Sequence, residues 1–74
     1  MHEAMNVDKL IVGNPYLWVD EDGQSRPTMY DGTCPINGGE VGYRFRVHGY
    51  KKNSVVLPAS EVERVVFRSS ITPL

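Results

Sequence analysis

The stretch Val41-Gly42-Tyr43-Arg44-Phe45-Arg46-Val47-His48 decides the fold. In an extended strand successive side chains point to opposite faces, so Val41, Tyr43, Phe45 and Val47 share one face while Gly42, Arg44, Arg46 and His48 share the other. The period of two predicts a half-buried strand of an antiparallel sheet with a basic outer face. A turn through residues 49–53 leads to Ser54-Val55-Val56-Leu57, whose β-branched side chains suit pairing with that strand.

Working outward, turn signals punctuate the rest of the chain: Gly13-Asn14-Pro15, Asp22-Gly23, Asp31-Gly32, Cys34-Pro35, Asn37-Gly38-Gly39, Lys52-Asn53 and Pro58. They recur at roughly the 8–12-residue spacing of short strands in a sandwich or barrel. No helix of three turns fits between them. Residues 9–12, 16–20 and 25–30 read as further strands, with Asp22-Gly23 closing a hairpin between the last two. Pro27 cannot donate to a ladder, so its strand is expected at an edge or with a bulge. Ser60-Glu61-Val62-Glu63 matches a capping box, predicting one 3₁₀ or α turn before a closing strand over residues 64–68.

With 74 residues, 41% apolar and 23% charged, the chain supports one modest core, expected over residues 8–68 between a loose leader (1–7) and a fraying tail (69–74). Cys34 is the one cysteine, so no internal disulfide can form, and with His2 and His48 it is too scattered for a structural metal site. Dimerisation is then the expected extra source of stability. The longest apolar runs, such as Leu10-Ile11-Val12, fall far short of the ~20 residues of a membrane span. An unpaired thiol and the absence of an export signal favour a cytoplasmic location. Charge is segregated along the chain: residues 1–40 hold seven acids and two bases, −5, while residues 41–74 hold six bases and two acids, +4. Strand order decides whether that division survives in space.

The run Asn53-Ser54-Val55-Val56-Leu57-Pro58-Ala59-Ser60-Glu61-Val62-Glu63-Arg64-Val65, with the hairpin before it, resembles the end of an SH3-like small β-barrel. That resemblance implies an all-β, five-stranded barrel with a short helical turn before the last strand. Gly42-Tyr43, residues 54–58 and Val62-Glu63-Arg64 are also similar to the tail of the plasmid-borne type II dihydrofolate reductases. Those enzymes line a tetrameric pore with a Val-Gln-Ile-Tyr segment, where this chain has Val55-Val56-Leu57-Pro58. The amide and phenol of that segment are missing, so the likeness implies the barrel and not the reductase.

Tyr16, Trp18 and Tyr30 gather around the first hairpin, whose tip is the acidic Asp20-Glu21-Asp22. Exposed aromatics beside an acidic loop bind extended or basic peptides in SH3-like barrels, which makes Tyr16, Trp18, Asp20 and Asp22 the expected protein-binding residues. The plainer reading makes Trp18 the largest core residue. Arg44, Arg46 and His48, extended by Lys51 and Lys52, form a stripe suited to phosphates, with Tyr43 and Tyr50 available for stacking on bases. A pI of 6.0 opposes it, since nucleic-acid domains typically exceed about 9. Cys34 lies in an expected loop, where a nucleophile needs a base that only His48 could supply. Asn37-Gly38-Gly39 reads as a turn rather than an anion cradle.

The chain is therefore expected to be a non-catalytic binding module for a protein partner, acting through an edge strand, the Trp18 hairpin or both. Nucleic-acid binding over residues 44–52 is the alternative, and an oligomeric reductase-like enzyme the second. No cofactor or metal is expected. A homo-oligomer is compatible with the size.

Overall fold

The computed structural model describes residues 5–50 and 53–69. The chain forms β1 (Pro15–Val19), β2 (Ser25–Pro35), β3 (Val41–Arg46), β4 (Ser54–Pro58), the helix α1 (Ala59–Val65) and β5 (Val66–Arg68). The strands make one antiparallel sheet in the order β4-β3-β2-β1-β5. The mostly-β class is as the turn spacing predicts and the short helix before the last strand as the Ser60–Glu63 pattern predicts, while five strands form where six segments read as strands. Among the described residues β4 and β5 form the two edges, linked by α1 with no ladder between them.

The inner face of the sheet and α1 enclose the core: Tyr16, Trp18, Tyr30, Phe45, Val47, Val62 and Val66, with Met5. Met5, assigned to the leader from sequence, is buried there, and its N–H donates to the Val66 carbonyl at 3.1 Å. The decisive alternation holds from Tyr43 onward, with Phe45 and Val47 buried and Arg44, Arg46 and His48 exposed. At its start it fails. Val41 is exposed at the end of the ladder opposite Pro35, while Gly42 is buried on the outer face. A Cβ at Gly42 would stand 2.6 Å from both Ile36 Cγ2 and Val56 Cγ1, so these two side chains roof the glycine.

Residues 9–12 do not form the expected strand. The Asn6 side chain accepts from the Asp8 N–H and starts a 3₁₀ helix over Val7–Lys9, after which Asn14 N–H closes a turn onto Ile11 O. Both sides of β1 are already taken by β2 and β5, so such a strand has no place beside β1. The predicted turns at Asp31-Gly32 and Cys34-Pro35 are absorbed into β2, the first as a bulge between Tyr30 and Gly32. Cys34 consequently lies in a strand opposite Gly42 and not in a loop.

Pro27 sits in a central strand that carries a bulge between Tyr30 and Gly32, the second of its two expected placements, and its missing N–H costs no ladder bond. Asp20 N–H donates to Gln24 O and Tyr30 N–H to Asn14 O, which fixes the pairing parity and turns the Pro27 nitrogen away from β1. On that side β2 meets β3 only from Met29 onward. The capping box is also corrected. Pro58 stays extended opposite Gly42 and α1 starts at the next residue, so Ser60 falls inside the first turn and makes no cap bond. Arg64 and Val65 belong to α1, and the closing strand begins at Val66.

Gly42→Ala should lower stability by about 1–3 kcal/mol, the usual range for overfilling a packed site. Urea unfolding would show a lower midpoint at unchanged slope. An unchanged midpoint would mean that Ile36 and Val56 move aside freely.

Candidate functional site

Between β4 and the far end of β1 lies an open cleft of about 840 Å³. One wall is β4 from Ser54 to Leu57, the other runs from Trp18 to Glu21, and Glu61 and Arg64 of α1 reach its margin. Trp18 meets the Tyr50 ring edge-on at 5.0 Å, and the Arg26 guanidinium lies 4.8 Å over the same Tyr50 ring. The wall is therefore a packed stack of indole, phenol and guanidinium, with the cation over the face of the Tyr50 ring.

The β4 wall exposes backbone. Val47 N–H donates to Asn53 O at 3.0 Å, and the register continues through Phe45↔Val55 and Tyr43↔Leu57, so Asn53, Val55 and Leu57 direct their polar groups at β3. Ser54 and Val56 direct theirs the opposite way, along the free edge. At the other edge of the sheet, Val66 O is already occupied by Met5 N–H.

Asp20 organises the hairpin end of the cleft. Its Oδ1 accepts the Asp22 and Gln24 N–H groups, each at 2.9 Å, and its Oδ2 accepts Arg26 Nε at 2.5 Å. These donors explain why a carboxylate can lie buried at the end of β1. The Arg26 hydrogen bond, above all, holds the Asp20 carboxyl below the ordinary carboxylate value. Burial opposes that shift, and the Gln24 and Asp22 N–H groups reinforce it.

Of the four residues expected to bind protein, Tyr16, Trp18 and Asp20 are buried and Asp22 is exposed. The Tyr16 hydroxyl accepts the Ile11 N–H at 3.0 Å, tying the 11–14 turn to the core. Arg44 and Arg46 are exposed on the outer face, but Asp31 of the bulge lies 3.8 Å from Arg44 Nε and 3.2 Å from Arg46 Nη2. One carboxylate thus offsets part of the positive potential of both arginines. Lys51 and Lys52, the other half of the stripe, lie outside the described residues. The sequence singled out the hairpin side of the cleft but missed the β4 edge, because which strand is left unpaired follows from strand order and not from any local pattern.

Comparison with protein-family models, with curated proteins and with solved structures finds no match to this chain. No helix among the described residues is long and apolar enough to cross a membrane.

Acid unfolding tests the Asp20 hub. A carboxyl whose pKa is lowered by folding adds stability that is complete above its unfolded value and is lost as pH falls toward the folded value. Asp20→Asn keeps an Oδ1 acceptor for the two backbone N–H groups and removes the charge facing Arg26. The variant should melt at lower temperature than the parent at neutral pH, and the gap should close as pH falls below the ordinary carboxylate range. A gap that stays constant well below that range, or no gap at neutral pH, would show that the Arg26 pair contributes nothing.

Proposed function

We propose that this chain is a non-catalytic protein-interaction module that receives an extended segment of a partner as an added strand along β4. The observation that carries the reading is the pair of outward-directed backbone groups at Ser54 and Val56, set in an open cleft of ligand-binding size. Main-chain hydrogen bonds to a sheet edge supply affinity independent of sequence, and pockets for alternate side chains supply selectivity. Here the Trp18–Tyr50–Arg26 stack supports the wall opposite the added strand, and no part of it has to move to admit a peptide. Glu21, exposed at the hairpin end, favours a basic side chain in the bound segment. The role of Trp18 in this reading is a buried support behind the cleft, with the free strand making the contact.

Selection from a phage-displayed library of random peptides, followed by amide NMR with the enriched peptide, tests the proposal. The Ser54 and Val56 amide signals should move on binding. Val56→Pro removes the outward N–H at an edge position where proline leaves the bonds to β3 intact. It should weaken the peptide about tenfold, the scale of one lost hydrogen bond with its steric cost. Enrichment of no peptide, or of peptides indifferent to Val56→Pro, would sink the reading. Retention of the parent on immobilised RNA or DNA, steeply salt-dependent and abolished by Arg44→Ala with Arg46→Ala, would replace it with the nucleic-acid alternative.

A further inference from the structure

The two faces of the β4 edge differ in charge. On the cleft side, Asp20 is held by Arg26, and Glu61 meets Arg64 Nη2 at 2.6 Å within α1. Glu21 lines the same cleft, is exposed, and has no ion pair among the described residues. The cleft therefore keeps a negative charge at its hairpin end.

The outer face is the reverse. Cross-strand register sets Arg46 beside Ser54 and Arg44 beside Val56, with all four side chains on that face. Asp31 approaches both arginines from the β2 side, at 3.2 Å from Arg46 and 3.8 Å from Arg44. One carboxylate against two guanidiniums leaves a net positive charge, and each guanidinium has five N–H donors, more than Asp31 can use. Ser54 and Val56 are short side chains. A strand added beyond β4 would lie about 9–10 Å from β3, two strand spacings, so an arginine reaching across Ser54 or Val56 meets a side chain extended from that strand.

Side chains of an added strand alternate as those of β4 do. Residues opposite Ser54 and Val56 point to the outer face, and the residue between them, opposite Val55, points into the cleft. Resting on the strand-addition reading, we propose that the partner segment has an acid–base–acid core. One carboxylate faces Arg46, the central lysine or arginine faces Glu21, and the second carboxylate faces Arg44. The pattern reads the same in both chain directions, so it holds for either orientation of the bound strand. A base–acid–base segment sets like charges together at all three positions, so the groups that admit the one reject the other.

Two fluorescein-labelled synthetic peptides test this, one with the core Val-Glu-Lys-Glu-Val and one with Val-Lys-Glu-Lys-Val. Fluorescence polarisation at low salt should show the first binding at least about tenfold more tightly. Raising the salt should narrow that difference, because exposed charges are screened. Glu21→Lys should weaken the first peptide, and adding Arg44→Glu with Arg46→Glu should reverse the preference. Should the arginine variants unfold, Glu21→Lys at the exposed hairpin tip and the salt series still decide. Equal binding of both peptides, with the Ser54 and Val56 amide signals moving, overturns the charge pattern and leaves strand addition standing. Binding of neither also overturns the charge pattern, and selection from the random-peptide library then decides strand addition by itself.

Discussion

Phe45 has no exposed surface, and its ring meets Tyr16 edge-on at 6.4 Å and Tyr30 at a tilt at 5.3 Å. Those three rings come from β3, β1 and β2, so one contact set joins the three central strands. Val47, Val62 and Val66 complete the enclosure and bring in α1 and β5. Aromatic pairs in these geometries contribute about 0.5–1.5 kcal/mol each beyond their area. In a domain this small, truncating such a residue, at about 3–5 kcal/mol, removes most of the stability available. The position of every surface feature, the β4 edge included, follows from this packing.

The fold was legible where local pattern and burial coincide. Tyr43 to His48 show in sequence the alternation the sheet displays, because one face of β3 is core and the other is water. Val41-Gly42 breaks it for reasons no window of sequence contains: Ile36 and Val56 arrive from other segments to cover the glycine. Asp31-Gly32 carries a turn's composition and forms a bulge, since glycine with φ near +112° serves either. Ser60 to Glu63 satisfy a capping pattern that the pairing of Pro58 with Gly42 pre-empts.

The candidate site was legible in half. Aromatic and acidic residues at the hairpin mark one wall of the cleft, although Asp20 is used internally to terminate β1 and hold Arg26. The other wall depends on β4 being last in the strand order, which is a property of the whole sheet. The same holds for charge. The acidic first half and basic second half of the chain separate in part because β3 and β4 lie together, yet Asp31 crosses that boundary through the bulge and sits between Arg44 and Arg46.

The direct joins at both ends of α1 have a mechanical meaning. Pro58 passes straight into Ala59 and Val65 into Val66, so the two edge strands are separated by seven helical residues, about 10 Å of rise, without slack. Adding or deleting one residue there would change that span by about 1.5 Å and turn the strand beyond it by about 100°. The gap beside β4 is thus inherited as an integer: its width can be kept or lost as the chain diverges, but not adjusted by small degrees through this connection.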